Sequence, residues 1–350
     1  MRVLHLVGSA VDDFFADLSR LYAEDCLRVV AGGHENLIAY VSPDGRWRFP
    51  SALDPAALAA APSMPLADAL ALIEGVGVDV MVPQMFCPPG MTHYRALFDV
   101  LGVPYLGNPP EVMALGADKA KARAVVAAAG VAVPAGEVLR PGESPTIGVP
   151  AVVKPVDADN SVGVTHVRDP GELGAALKEA WSHSSAALVE EFVPLGREVR
   201  CGVLERDGEL VCLPLEEYPM DPDEKPIRLA SDKLARDGAG ELRLVAKDPT
   251  RSWIVNPTDP ADPVTAAVWA AARACHRALG CRHYGLFDFR VDPQGRPWFL
   301  EAGLYCSFAP SSVVATMAQA AGIGVRQLFD ELARRVTRGP APVRPPSPGA

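Results

Sequence analysis

The sequence predicts an α/β protein that begins with a parallel sheet and continues with antiparallel hairpins. In the first third of the chain, apolar strand-like runs such as Arg2–Val7 and Asp79–Pro83 alternate with segments that carry apolar residues every three or four positions. Strands that alternate with helices are typical of a parallel α/β domain. Farther along, paired apolar runs are separated by short turns such as Asp207-Gly208, which is typical of antiparallel hairpins.

The first domain is expected to span residues 1–115. Its expected strands are Arg2–Val7, Asp79–Pro83 and Val103–Gly107, and its expected helices are Ala52–Ala61, Leu66–Glu74, Thr92–Leu101 and one that carries Phe14, Leu18 and Tyr22. The first strand is not followed by GxGxxG, so the dinucleotide-binding fingerprint is absent.

The rest of the chain is expected to be an α+β region of two subdomains, 116–198 and 199–337, with a disordered proline-rich tail, 338–350. Its expected hairpins are Ala151–Val167, Val199–Leu215 and Gly285–Ala302, and its expected helices are Asp118–Gly130, Glu172–Trp181, Val264–Leu279, Ser312–Ala321 and Val325–Val336. Residues 216–263 are polar, proline-dotted and poorly periodic, so we expect a mobile loop that covers a site.

Composition excludes several classes of protein. The 350 residues are 49% hydrophobic and 22% charged with a net charge of −10, which is typical of a globular protein and argues against nucleic-acid binding. No apolar run of about 18 residues occurs, and we expect neither a membrane span nor a targeting segment. Seven scattered cysteines without a CxxC pair suggest no zinc site or disulfide framework, so we expect a cytoplasmic protein.

Lys154 is the first candidate for a site. It ends the apolar run Ala151–Val153 and precedes a polar loop closed by Ser161-Val162-Gly163. A strand that delivers a lysine to a loop can hold a phosphate, because the strand fixes the amine and the loop adds backbone donors. The alternative is an ordinary hairpin with a solvated lysine.

Two acids in the last hairpin are the second candidate. With Asp292 and Gly295 at the turn ends, Asp288 is expected opposite Phe299, with Glu301 on the same face as a diagonal neighbour about 7–8 Å away. Two such carboxylates can share one Mg²⁺ or bracket two metals. Solvated edge acids are the alternative, but both lie in apolar surroundings, where a buried acid without a partner is costly.

The run Leu188–Val193 and the nearby Glu198 form the third candidate. A strand that leaves into a short apolar linker offers backbone donors and acceptors to a flat base, and Glu198 can accept from a ribose hydroxyl. The alternative is a solvated corner at a strand end.

Taken in order, these features resemble the ATP-grasp fold and, within it, the D-alanine–D-alanine ligase family. The resemblance runs from about Pro104 to Leu332. It includes GVPYLGNPPEVMALGADKAKARAVVAAAGVAVP, VVKPVDADNSVGVTHV, LVEEFVPLGREV, and ALGCRHYGLFDFRVDPQGRPWFLEAG followed by MAQAAGI. It implies an ATP-grasp fold behind an N-terminal pre-ATP-grasp α/β domain, with ATP and Mg²⁺ as cofactors.

The resemblance also implies roles for single residues. The nucleotide would contact Lys119, Lys154, Ser161, Val162, Gly163, Glu190, Glu191, Phe192, Val193, Glu198 and Leu300. Within this set the two lysines would meet phosphates, Glu190 the adenine amino group and Glu198 the ribose. Magnesium would bind Asp288 and Glu301. Lys233 would reach the γ-phosphate, Ser161 and Arg290 would assist the reaction, and Asp12, Ser307 and Ser312 would face substrate.

The chain departs from the family pattern where the acceptor would bind. Leu286 stands where the family carries an arginine that stabilises the tetrahedral intermediate, and Gly303 stands where it carries an asparagine metal ligand. We therefore expect an acceptor other than D-alanine, with Arg290 or backbone N–H groups near Ser307 as oxyanion donors. The alternative is that Arg282 restores ordinary dipeptide synthesis.

The resemblance implies an ATP-dependent carboxylate–amine ligase that forms an amide through an acyl phosphate, on amino-acid-like substrates in specialised metabolism. A divergent D-alanine–D-alanine ligase and an inactive nucleotide-binding protein are the alternatives. The expected partners are a small acid and a small amine, with a homodimer formed through the first domain and no nucleic acid or membrane.

Overall fold

The computed structural model describes residues 1–228, 234–236, 242–244, 252–255 and 262–337. The described strands are β1 (Arg2–Gly8), β2 (Glu35–Val41), β3 (Trp47–Arg48), β4 (Val80–Pro83), β5 (Gly136–Leu139), β6 (Ala151–Pro155), β7 (Thr165–Val167), β8 (Ala187–Glu191), β9 (Arg197–Arg206), β10 (Glu209–Cys212), β11 (Glu216–Tyr218), β12 (Leu234–Arg236), β13 (Leu242–Leu244), β14 (Trp253–Ile254), β15 (Tyr284–Val291) and β16 (Pro297–Gly303). The α-helices are α1 (Asp13–Val30), α2 (Pro55–Ala60), α3 (Leu66–Val76), α4 (Pro88–Met91), α5 (His93–Val100), α6 (Pro110–Ala117), α7 (Lys119–Ala128), α8 (Leu173–His183), α9 (Pro263–Ala278), α10 (Val313–Ala320) and α11 (Val325–Thr337).

The chain forms two compact units. The first unit contains Met1–Leu106, Ser307–Ala309 and the segment that begins at Gly324, and the second contains Gly107–Cys306 and Pro310–Ile323. The first unit thus ends nearer the N-terminus than the expected residue 115, because α6 and α7 belong with the second unit.

The first unit is built on a sheet with the strand order β3-β2-β1-β4. Strand β1 is parallel to both β2 and β4, which agrees with the expected parallel α/β domain. The predicted strand Val103–Gly107 is wrong: it makes a single bridge, between Tyr105 and Met81. Pro104 has no N–H to donate, and Gly102 precedes it in a left-handed conformation, so a longer ladder is disfavoured.

The second unit contains two antiparallel sheets that carry the candidate site. The smaller sheet has the order β5-β8-β6-β7, and the larger has the order β14-β11-β9-β15-β16, with β10 paired to β9. Residues 216–263 were expected to form a loop, but two segments within this range, β11 and β14, are strands of the larger sheet. Among the described residues, no helix is long and apolar enough to cross a membrane.

The hairpin β15–β16 differs from the predicted register. Asp288 is the direct partner of Glu301, and Phe289 is the partner of Phe299, so Leu300 is the additional residue of a β-bulge. The turn is also wider than predicted, because Asp292 N donates to Arg296 O at 3.0 Å. The expected placement of Asp288 opposite Phe299 is therefore wrong, and the two acids are closer in register than diagonal neighbours.

Candidate active site

An open cleft lies in the second unit and gathers most of the predicted nucleotide-binding residues. The predicted residues that line it are Lys119, Lys154, Ser161, Glu190, Glu191, Phe192, Val193, Glu198, Arg290, Leu300 and Glu301. Its lining also includes Ile227 and Arg228, which the sequence did not single out. Val162, Gly163 and Asp288 are near the cleft in sequence but are not part of its lining.

A row of four charged residues runs across four adjacent strands of the larger sheet. Glu216 of β11 pairs with Arg200 of β9, Arg200 pairs with Asp288 of β15, and Asp288 pairs with Glu301 of β16. Directly opposed residues share a face, with their Cβ atoms about 4.5–5.5 Å apart. The row extends to Lys119, whose Nζ lies 3.6 Å from Glu301 Oε2.

Asp288 and Glu301 are the two neighbours of like charge in this row. Adjacent like charges are destabilising across a sheet, so a cation between them is favoured. Oxygen ligands from carboxylates suit Mg²⁺, which completes its octahedron with phosphate oxygens and water. The pair therefore fits a magnesium ion that arrives with a nucleotide. No cluster of three or more His, Cys, Asp or Glu residues with metal-binding geometry occurs in the described parts of the chain.

Arg228 covers Asp288 on the cleft side. Its Nη2 donates to Asp288 Oδ2, and its Nε donates to Glu198 Oε1 at 2.8 Å. The guanidinium also lies 4.2 Å from the centre of the Tyr218 ring. Burial opposes its charge, but the neighbouring Asp288, Tyr218 and Glu198 still raise the pKa of Arg228 above its ordinary value. Arg228 is therefore a cation placed over the carboxylate predicted to bind metal.

Glu198, predicted to hold the ribose, is buried between two arginines. Besides Arg228, it accepts a hydrogen bond from Arg290 Nη2 at 2.5 Å. Arg290 also donates to the backbone oxygens of Val193, at 3.3 Å, and Pro226, at 2.7 Å. The structure thus places Arg290 beside the residues predicted to contact the ribose and the base. Along β15, Arg290 lies two residues after Asp288.

Glu190 and Lys154 form a buried ion pair. The distance from Lys154 Nζ to Glu190 Oε2 is 2.6 Å, and Arg123 Nε lies 3.2 Å from the other carboxylate oxygen. Lys154 Nζ is also 3.5 Å from Leu300 O. Gly136 leaves room for this group, because a Cβ there would lie 3.0 Å from Glu190 Cγ and 3.1 Å from Arg123 Cζ.

The loop after Lys154 folds through several left-handed residues. Asn160 and Ser161 have φ values of 57° and 59°, and Gly163 has a φ of 68°. A Cβ on Gly163 would lie 2.8 Å from Pro155 Cγ, so this position requires glycine on both grounds. Lys119 Nζ donates to Ala158 O in the same loop. The loop is therefore held next to Lys119 without a run of glycines.

Aromatic stacking marks the predicted base-binding linker. The Phe192 ring stacks on His166 with centroids 4.2 Å apart, and the Arg290 guanidinium lies 5.2 Å from the Phe192 ring centre. Phe192 N donates to Pro150 O at 3.0 Å, which fixes the start of the linker. Burial, with the nearby Arg168 and Arg290, lowers the pKa of His166, so the stacked ring is favoured in its neutral form.

The predicted substrate residues are divided between the two units. Asp12 caps α1 by accepting from Phe15 N at 2.9 Å, and Ser307 Oγ accepts from Ala309 N at 3.2 Å, both in the first unit. Ser312 precedes α10 in the second unit, and its buried Oγ makes no hydrogen bond with the described residues. Lys233 lies outside the described residues.

Leu286 and Gly303, the two positions where the chain departs from the family pattern, are neighbours in the larger sheet. Leu286 pairs with Gly202 on one side and Gly303 on the other, and neither of these cross-strand partners has a polar side chain. Arg282 donates from Nε to Gly107 O at 2.8 Å, which holds it to the backbone before β15.

Arg200, Arg228 and Arg123 are the site residues that the sequence reasoning missed. Arg200 lies two residues after Glu198 on one strand, and strand periodicity places both on one face, so this arginine was predictable. No such signal exists for Arg228, which follows an irregular segment, or for Arg123, which reaches the site from helix α7.

The chain is similar in sequence to known D-alanine–D-alanine ligases. The family model described as D-ala D-ala ligase C-terminus matches residues 137–230. The D-alanine–D-alanine ligase of Gloeobacter violaceus is 34% identical over 249 residues, covering 69% of this chain and 76% of that protein. The D-alanine–D-alanine ligase A of Mesorhizobium japonicum is 30% identical over 342 residues, covering 90% of this chain and 92% of that protein.

Solved structures show the same fold at low sequence identity. The VanG D-Ala:D-Ser ligase from Enterococcus faecalis superposes with a TM-score of 0.76 at 20% identity, covering 96% of this chain and 99% of that one. The D-alanine–D-alanine ligase from Bacillus anthracis complexed with ATP gives a TM-score of 0.69 at 20% identity, covering 97% of this chain and 99% of that one. The chain therefore has the ATP-grasp fold.

Proposed function

Because the chain belongs to the D-alanine–D-alanine ligase family of ATP-dependent, ADP-forming C–N ligases, we propose that it joins two small amino-acid-like substrates through an acyl phosphate. The observation that carries this proposal is the Asp288–Glu301 pair, with Lys119 beside it and Lys154 in the same cleft. Paired carboxylates and lysines of this kind suit the transfer of a phosphoryl group.

We propose that the cleft binds ATP with its phosphates at Lys119 and Lys154. Glu190 would accept from the adenine amino group, and the backbone of Val193 would meet the ring edge. Glu198 would accept from the ribose once Arg228 has withdrawn, since both oxygens of Glu198 are now bonded to arginines. The left-handed loop at Ser161 would cover the phosphates with its backbone N–H groups.

Asp288 and Glu301 would hold Mg²⁺. When bound, this ion would neutralise and orient the phosphate oxygens of ATP. Asp288 is bonded to two arginines, Arg200 and Arg228, so exchanging Arg228 for a metal would keep a positive charge beside its carboxylate.

The reaction would proceed in two steps. In the first, a carboxylate oxygen of the acid attacks the γ-phosphorus, the bond to ADP breaks, and an acyl phosphate forms. In the second, an amine attacks the acyl carbon, loses a proton and expels inorganic phosphate, which leaves an amide. The residues of the chain mainly position the reactants and stabilise negative charge. We keep Lys233 as the proposed γ-phosphate lysine and Arg290 as a proposed oxyanion donor.

We propose that the amine is not D-alanine and that the reaction belongs to specialised metabolism. Leu286 lies between two glycines of β9 and β16, so neither of its direct cross-strand partners supplies an arginine in its place. A substrate carboxylate that needs a charge-assisted contact would lose roughly 1.5–3 kcal/mol of binding. The relatives named D-alanine–D-alanine ligases favour a second candidate, the synthesis of D-alanyl-D-alanine.

We also propose a cytoplasmic homodimer that binds neither nucleic acid nor membrane. The seven cysteines are free thiols, which is typical of a reducing compartment. Sedimentation measurements on the purified chain test the dimer.

The deciding experiment incubates the protein with ATP, Mg²⁺ and pairs of amino acids and reads ADP and product masses. We expect ADP release that depends on an added acid and amine, with little product from D-alanine alone. Efficient formation of D-alanyl-D-alanine favours the second candidate. An absence of substrate-dependent ADP release from every pair contradicts the proposal.

A further inference from the structure

Arg200 is the cation that the larger sheet holds beside the proposed metal pair. Its Nε donates to Asp288 Oδ1 at 2.8 Å. On its other side, Nη1 lies 3.4 Å from Tyr218 Oη and 3.7 Å from Glu216 Oε2. Burial opposes its charge, but Asp288 and Tyr218 raise the pKa of Arg200 well above its ordinary value. The guanidinium is therefore fixed, charged and adjacent to Asp288.

The guanidinium of Arg200 reaches across β15 toward β16. A Cβ on Gly303 would lie 3.9 Å from Arg200 Nη2, although β15 separates the strands that carry the two residues. Leu286 and Gly303 are its neighbours there, and neither has a polar side chain. Within the described part of the chain, Nη2 donates to no protein acceptor, whereas Nε and Nη1 are both engaged.

The two carboxylates thus have one cation on each side. Arg200 bonds Asp288 from β9, and Lys119 lies 3.6 Å from Glu301 at the opposite end of the pair. Phosphate oxygens bound to a metal at this pair would lie between the two cations. A guanidinium with uncommitted N–H groups is well suited to such oxygens, because its planar fork matches their geometry.

We propose that Arg200 is a catalytic residue that donates Nη2–H groups to the phosphoryl group in transfer. This inference rests on the proposed function and adds a phosphoryl contact to it. As the γ-phosphoryl group passes from ATP to the acid and ADP leaves, its equatorial oxygens carry negative charge, and Arg200 would stabilise them without gaining or losing a proton. Asp288 would keep its bond to Nε throughout.

The test compares two nucleotides that differ by the γ-phosphate. The affinities of ADP and of the β,γ-imido analogue of ATP are measured by calorimetry at saturating Mg²⁺, for the natural protein and for Arg200→Gln, Arg200→Lys and Arg197→Gln. Arg197 is a matched control, because it is an arginine of the same strand that pairs with Glu217 at 2.6 Å and with Asp262 at 3.1 Å on the other face.

We expect Arg200→Gln to weaken the analogue at least about tenfold and ADP less than about twofold, as the loss of one charge-assisted contact predicts. Arg200→Lys keeps the charge in the row and should give an intermediate loss, and it replaces the glutamine variant if that one does not fold. Arg197→Gln should change neither affinity.

Equal weakening of both nucleotides, or no weakening of either, overturns the role of Arg200. That result differs from a failure of the proposed function, in which the natural protein itself binds neither nucleotide.

Discussion

Asp288 of β15 and Glu301 of β16 are direct cross-strand partners, brought into register by the bulge at Leu300. Asp288 is fully buried, whereas the Glu301 side chain is 23% exposed and lies next to Lys119. Substitution of Asp288 is therefore expected to affect the stability of the fold more than substitution of Glu301. Removing the charge of Asp288 would break its buried ion pairs with Arg200 and Arg228, at a cost of about 3–5 kcal/mol.

Glu301→Gln is the cleaner test of the metal site. We expect it to lower the affinity for Mg²⁺ in the presence of ADP and to abolish substrate-dependent ADP release, while the midpoint of thermal unfolding changes little. In the natural protein, Mg²⁺ should bind weakly alone and tightly with nucleotide, because two carboxylates supply only part of an octahedron. Tight Mg²⁺ binding without nucleotide would argue against this site.

Lys154→Ala is expected to weaken ATP binding by at least about tenfold, since a buried charge-assisted phosphate contact is lost. The fold should persist, because Glu190 keeps Arg123 at 3.2 Å as a partner. Calorimetry with the β,γ-imido analogue of ATP measures the loss, and Lys178→Ala, at an exposed position of α8, is the control. Unchanged affinity in Lys154→Ala would remove the phosphate role of this lysine.

Arg228→Gln is expected to tighten the binding of Mg²⁺ with ADP, on the order of tenfold. The reason is competition, because Arg228 now bonds Asp288 and Glu198, the groups that metal and ribose would use. Arg168→Gln is the control. Arg168 donates to the backbone oxygen of Asp223, shortly before Arg228 in the chain, at 3.0 Å, but it bonds neither Asp288 nor Glu198. Weaker binding by Arg228→Gln would instead make Arg228 a nucleotide ligand.

His5 should make the stability of the protein depend on pH. Burial lowers the pKa of His5 to about 4, and its ring nitrogens are held by Asn36 at 3.0 Å and Gln84 at 2.9 Å. The folded state therefore keeps His5 neutral. The contribution of neutral His5 to the free energy of unfolding is complete above the unfolded pKa of about 6.5, and it is lost as the pH falls toward 4.

Between pH 8 and pH 5.5 this linkage amounts to about 1.4 kcal/mol of unfolding free energy. Urea unfolding at both values should show that His5→Gln removes about this much of the pH dependence. His93→Gln, at an exposed histidine, should leave it unchanged. An identical pH dependence in His5→Gln and the natural protein would refute the assignment.

Period-two alternation and turn residues were sufficient to predict the hairpins of the second unit and the strand that carries Lys154. They did not predict the bulge at Leu300, because one extra residue in a strand leaves no clear mark in the hydrophobic pattern. The same is true of Val103–Gly107, where a short apolar run was read as a strand although Pro104 limits its pairing.

The site could be predicted where chemistry and strand position coincide, as at Lys154 and Glu301. It could not be predicted where a partner comes from a distant part of the chain. The bonds from Arg228 to Asp288 and from Arg123 to Glu190 depend on tertiary packing, which no local spacing encodes. The register predicted for Asp288 was wrong and none was predicted for Glu216 or Arg200, so the unbroken row from Glu216 to Lys119 became visible only in the fold.

The most direct test of the proposed reaction follows oxygen from the acid. An acid substrate identified by the product screen is labelled with ¹⁸O in its carboxylate and incubated with ATP, Mg²⁺ and the amine, and the released nucleotide and phosphate are analysed by mass spectrometry. An acyl phosphate predicts ADP as the nucleotide product and one ¹⁸O atom in inorganic phosphate for each amide formed. Unlabelled phosphate, or the appearance of labelled AMP with pyrophosphate, would contradict it.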